Sequence, residues 1–129
     1  LQMSALEAAL SVWDGITMAE VRAASLRLSE RFIREVEARC PALTLNSPRE
    51  VAQRGSQVAF TYQHGYAAMQ ALIDRGVIGD FRAPNVMRFG FTPLFLDEAD
   101  VIAAVDVMAD VLDNRLWDKP EYKAAKGVT

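Results

Sequence analysis

A chain of 129 residues, 51% of them apolar and with a formal charge of −3, is sized for one domain with a buried core rather than for a disordered segment. Its 14 basic and 17 acidic residues are interleaved, which argues against nucleic acid as a partner. No apolar stretch approaches the roughly 20 residues that cross a bilayer and no segment reads as a signal peptide, so a cytoplasmic protein without a membrane partner is expected.

The first predicted element is a helix over residues 2 to 13, with Leu6, Leu10 and Trp13 at helical spacing, closed by the turn signal Asp14-Gly15. The chain opens at Leu1 without an initiator methionine, inside what reads as that helix's first turn, so a piece of a longer polypeptide is expected. Thr17 and Glu20 make a capping box, after which Val21, Leu28, Phe32 and Val36 line one face of a long second helix that Pro41 stops after Cys40. Leu43 and Leu45 flank Thr44 in a short strand closed by Asn46-Ser47-Pro48. Val58, Phe60 and Tyr62 alternate with Gln57, Ala59 and Thr61 in another.

After the turn at His64-Gly65, a third helix carries Tyr66, Met69, Leu72 and Ile73 and ends at Gly76, the position where a left-handed residue closes a helix. Val77-Ile78 reads as a brief strand and Val86 to Phe91 as a longer one; from Asp97 a last helix puts Val101, Val105, Met108, Leu112 and Leu116 on one face. Residues 119–129, with Pro120 and all three lysines (Lys119, Lys123 and Lys126), read as a loose tail. The eleven arginines occupy the body, so no buried lysine amine is expected in the core. The order of elements gives an α+β fold: a small, mostly antiparallel sheet with helices on one face.

Strand alternation singles out Arg88. Met87, Phe89 and Phe91 share one face, and Val86, Arg88 and Gly90 share the other. If the first set packs under the helices, Arg88 projects from the helix-free side, and Gly90 beside it leaves room for a ligand. A guanidinium there suits a carboxylate, which its planar fork can hold through two charge-assisted bonds. The pattern alone also describes an exposed or salt-bridged surface arginine, and by itself favours that reading. Asp80 and Arg82, near the turn at Pro84, are placed to pair with each other or to support Arg88.

Other candidates carry less chemistry. Arg54-Gly55-Ser56-Gln57 could form an anion-binding turn but lacks the phosphate-loop pattern, and a loop leading into a strand explains it as well. His64 has no carboxylate at a readable spacing and is read as a solvated turn residue. Cys40 is read as a packed, inert thiol; with one cysteine and one histidine the chain offers no internal disulfide and too few soft ligands for structural zinc. Asp97, Glu98 and Asp100 fall in the first turn of the last helix and are read as capping, not as a metal site.

The blocks Arg75-Gly76-Val77-Ile78-Gly79-Asp80-Phe81-Arg82, then Pro84, then Met87-Arg88-Phe89-Gly90-Phe91-Thr92-Pro93-Leu94 resemble the C-terminal region of kynureninases. Arg27-Leu28-Ser29, Pro48-Arg49-Glu50 and Arg54-Gly55-Ser56-Gln57-Val58 fit the same family in the same order, so the resemblance covers residues 1–118. It implies the C-terminal small domain of a fold-type I, aspartate-aminotransferase-like enzyme that uses pyridoxal 5'-phosphate, with the large cofactor-binding domain absent from this chain. The implied parent is a cytoplasmic homodimer that cleaves L-kynurenine with water into anthranilate and L-alanine, in tryptophan catabolism; 3-hydroxykynurenine is the other candidate substrate.

By the same resemblance Arg88 matches the arginine that binds the substrate α-carboxylate, with Asp80, Arg82 and Gly90 as support around it. The Schiff-base lysine, the aspartate facing the pyridine nitrogen and the phosphate ligands belong upstream of Leu1, so no catalytic or cofactor-binding residue and no metal are assigned here. Taken alone, the chain is expected to be inactive and to expose the face that would meet the large domain. No role is carried to Tyr62, Tyr66 or His64. Two alternatives stay open: another fold-type I lyase, such as a cysteine desulfurase-like enzyme, and a stand-alone module that binds a small carboxylate or a protein.

Overall fold

A computed structural model describes residues 10, 11 and 13–124 of the chain. Most of the first expected helix, including Leu6, lies outside the described residues; Leu10 and Ser11 are helical and Trp13 to Gly15 form the turn. Helix α1, Met18–Arg39, opens where Thr17 accepts a hydrogen bond from the Glu20 amide at 3.1 Å. It ends at Cys40, whose amide reaches back to the Val36 carbonyl. Leu28, Phe32, Ile33 and Val36 form its buried face, as their spacing requires.

Four strands follow: β1 Thr44–Leu45, β2 Gln57–Thr61, β3 Asp80–Arg82 and β4 Val86–Gly90. They form one antiparallel sheet in the order β1-β2-β4-β3. Helix α2, Gly65–Asp74, connects β2 to β3, and β4 then enters between those two strands. This places Arg88, at the middle of β4, between Ala59 on one side and Asp80 on the other. Helix α3, Glu98–Asp113, packs on α1 and α2. Its N-terminus carries a reciprocal capping box between Asp97 and Asp100, both bonds at 2.9 Å.

The helices cover one sheet face. Val58, Phe60, Met87 and Phe89 are buried under them, and Phe32 reaches down from α1 to contact Phe60, Phe89 and Phe91 with centroid separations of 5.9, 5.3 and 5.1 Å. A helix-backed α+β domain is thus the observed architecture. No described helix is long and apolar enough to cross a membrane.

Two local expectations need correction. Val77-Ile78 is not a strand; pairing begins at Asp80. The Val77 amide is already used to close α2, donating to the Leu72 carbonyl at 3.0 Å behind Gly76, which takes the left-handed φ of +87°. The stretch expected to be loose from residue 119 is instead docked as far as Ala124. A short helix α4, Pro120–Lys123, buries Tyr122, whose hydroxyl donates to Asp74 at 2.8 Å. The chain regains the body there because an aromatic ring and its hydroxyl find a greasy slot and a carboxylate on α2.

Candidate functional site

The site is built on the middle of β4. Met87 and Phe89 anchor the strand in the core, so the intervening Arg88 is directed to the opposite sheet face. There it meets Asp80, its Cα partner on β3. Arg88 Nε donates to Asp80 Oδ1 at 2.5 Å and Nη2 donates to Asp80 Oδ2, making a two-point ion pair. The Arg88 side chain is 24% exposed and that of Asp80 53%, so the guanidinium lies low on the sheet with the carboxylate at its more open flank. Hydrogen bonding from Arg88 holds the Asp80 carboxyl below its ordinary range, and the same bond raises Arg88.

Asp80 reaches this position through Gly79. A Cβ on Gly79 would lie 2.5 Å from the Arg88 carbonyl oxygen and 2.8 Å from Met69 Cε. Only a residue without a side chain lets β3 approach β4 this closely at its first pair. Gly79 carried no distinct signal in the sequence, because a glycine after a helix end reads as punctuation. Gly90, by contrast, is exposed and has open space where a Cβ would stand. Arg82 lies on the same face as Asp80, exposed, and acts on it only through charge. Asp80 therefore pairs with Arg88, and Arg82 stands beside the pair.

The remaining candidates are placed in other roles. Arg54 is buried, with its side chain 1% exposed, and donates to the Pro48 and Arg49 carbonyls at 3.2 and 3.1 Å, to Ser29 Oγ at 3.2 Å and to Glu30. A guanidinium spent in this way pins the connection before β2 to α1, so the loop reading of this segment holds. His64 stands in the turn before α2, as expected, but half-buried rather than fully solvated: it stacks on Trp117 with centroids 4.1 Å apart, and Tyr62 meets both rings edge-on. Trp117 arrives from more than fifty residues further along the chain, a contact that local sequence does not announce. Burial pushes the Cys40 thiol up to about 11, which leaves it protonated and unreactive at neutral pH. Asp97 and Asp100 cap α3, and Glu98 faces Arg27 at 3.9 Å.

Comparison with known proteins adds a consistent set of likenesses. A family model described as the kynureninase C-terminal domain matches residues 21–108, a span that holds Gly79, Asp80, Arg82, Arg88 and Gly90. A protein named kynureninase from Pseudomonas fluorescens is 46% identical over 129 residues, which cover 98% of this chain and 31% of that protein. Proteins of the same name from Burkholderia mallei (strain SAVP1) and Burkholderia pseudomallei (strain K96243) are each 46% identical over 131 residues, covering all of this chain and 32% of theirs. The chain spans about a third of the length of the curated relatives it matches.

Proposed function

The chain belongs to the kynureninase C-terminal domain family, and from that premise we propose that it supplies the substrate-carboxylate anchor of an enzyme that hydrolyses L-kynurenine to anthranilate and L-alanine. The observation that carries this reading is Arg88: a planar cation held on the sheet face opposite the helices, with bare Gly90 beside it. A carboxylate gripped by such a fork is fixed in orientation as well as position, which is what a reaction at the neighbouring carbons requires. The parent is taken to be a cytoplasmic homodimer, and this chain to form the body of its small domain.

Pyridoxal phosphate, which the family implies, supplies an electron sink for bond cleavage when a lysine amine holds it. The described residues do not fit that task. Lys119 and Lys123 are exposed, lie near the Tyr122 and Trp117 rings, and Lys123 pairs with Asp118. A cofactor-holding lysine amine is held at a fixed, water-excluded position, and neither exposed lysine offers that. This chain therefore contributes substrate binding, and the 129 residues alone are inactive in this reading.

The experiment is hydrolysis of L-kynurenine by the full-length enzyme, followed through anthranilate fluorescence, beside its Arg88→Ala variant and the isolated chain. Activity in the full-length enzyme, a fall in kcat/KM of roughly 30-fold or more in the variant, as expected for loss of a charge-assisted pair, and none in the isolated chain support the reading. Full activity of Arg88→Ala removes the anchor. A cofactor-loaded enzyme that ignores kynurenine moves the assignment to another lyase of this fold.

A further inference from the structure

We propose that Asp80 is a positioning residue for this carboxylate site: by occupying the Nε–Nη2 edge of Arg88 it leaves the guanidinium tip, Nη1 and the outer hydrogen of Nη2, as the edge that receives a ligand carboxylate. The inference rests on the reading of Arg88 as a carboxylate anchor and adds which edge is used and what aims it.

A guanidinium carries five N–H donors in one plane and can bind two carboxylates at once, one along its side and one at its tip. The side is filled by Asp80 through both carboxylate oxygens. Nη1 has no hydrogen-bond partner among the described residues, so the tip remains available. Four rotatable bonds would otherwise let Arg88 sweep the sheet face. Asp80 removes that freedom because its own side chain is short and its Cα stands directly opposite on β3. The backbone behind it is equally constrained, since Gly79 packs against the Arg88 carbonyl itself. The two carboxylates, Asp80 and ligand, then share the guanidinium plane, and the ligand's approach is set by the protein rather than by the ligand.

The opposite possibility is that Asp80 competes with the ligand for Arg88, and the two make opposite predictions. A positioning Asp80 means that Asp80→Asn weakens binding although it removes a negative charge; a competing Asp80 means that the same change tightens it. The test uses the full-length, cofactor-loaded enzyme with Asp80→Asn, Asp80→Glu and Arg88→Ala, each checked for its melting temperature. L-kynurenine and its α-carboxamide are compared as substrate or competitive ligand. The expected result is a KM for kynurenine raised roughly tenfold in Asp80→Asn, the scale of one charge-assisted bond, with a smaller change in kcat. Preference for the carboxylate over the carboxamide should fall by a similar factor, with partial recovery in Asp80→Glu. That preference is a ratio which general loss of folded protein does not move. An unchanged or lowered KM in Asp80→Asn, with Arg88→Ala still crippled, overturns the positioning role and leaves the anchor standing. An unaffected Arg88→Ala overturns the anchor itself, and the positioning role with it.

Discussion

Asp80 and Arg88 are Cα partners across the β3–β4 pair, and their side chains close a two-point ion pair on the sheet face opposite the helices. Solvent-exposed pairs of this kind contribute little to stability. With Asp80 half exposed, the pair is better explained by orientation than by stability. Arg88 sits between Ala59 and Asp80 on a strand whose alternate residues are locked in the core, and Asp80 holds its guanidinium.

The pair has a pH signature. Hydrogen bonding from Arg88 lowers the Asp80 pKa in the folded state below the ordinary value near 3.9. A depressed carboxylate adds stability above the unfolded pKa, and that stability is lost as pH falls through the folded value. Asp80→Asn should therefore be slightly less stable than the parent sequence at pH 7, and the gap should close as the pH is taken below about 4. Urea titrations of both chains between pH 7 and pH 2.5 check this. A gap that widens on acidification contradicts the pairing, and added salt should narrow it at neutral pH.

Gly79 is the steric condition for the pair. In Gly79→Ala the new methyl meets a backbone oxygen at 2.5 Å, which no side-chain rotation relieves. We expect a loss of about 1–3 kcal/mol, the usual cost of overpacking, together with displacement of β3 from β4. Denaturation measures the first. Amide exchange within β3 and β4 measures the second, and protection there should fall more than in α1.

Much of this arrangement is legible from residue order. Period-2 alternation puts Met87, Phe89 and Phe91 under the helices and Arg88 and Gly90 opposite, because burial of one face admits only one registration of a strand. The α1 face follows from its apolar spacing for the same reason. The Asp80–Arg88 pairing is not legible from pattern. A slip of one residue across the turn at Ala83 to Asn85 would send Asp80 toward the helices, and what opposes the slip is the packing of Phe81 against the core together with the fit of Gly79 against the Arg88 backbone. The His64–Trp117 stack and the Tyr122–Asp74 bond join residues about fifty positions apart. Composition at the tail, with proline and lysines, describes its solvent side and says nothing of Tyr122.

Arg54 gives a contrast within one residue type. Its truncation to alanine removes the bonds to the Pro48 and Arg49 carbonyls, to Ser29 Oγ and to Glu30. The expected cost is about 1–3 kcal/mol, since a buried side chain and its charge-assisted bonds are lost together, while the freed carbonyls belong to exposed residues that water can reach. Arg49→Ala removes only the exposed pair with Glu37 and should cost clearly less. Paired urea denaturation of the two variants checks the ordering, and equal costs would show that the burial of Arg54 is not what holds the segment before β2.

Cys40 should behave as a core atom. Its thiol is buried and pushed up to about 11, mainly by desolvation. Ellman's reagent at pH 8 should leave the native chain essentially unlabelled and react with one thiol per chain once the chain is unfolded. Rapid labelling without denaturant would show that the α1 C-terminus opens.

Tyr122 is buried, donates to Asp74 on α2, and comes from a helix of only four residues that could not persist unaided. Truncation after Asp118 removes both the buried ring and its hydroxyl, so stability should fall by about 2–4 kcal/mol, combining burial of an aromatic side chain with a part-buried hydrogen bond. Tyr122→Phe keeps the ring and should lose only about 1 kcal/mol. If the truncated chain melts with the intact one, residues beyond 118 are a tail in solution as their composition suggests. If it melts earlier while Tyr122→Phe stays close to the parent sequence, the ring rather than the hydroxyl is what draws α4 onto α2, and the folded body extends past Trp117 to at least Tyr122.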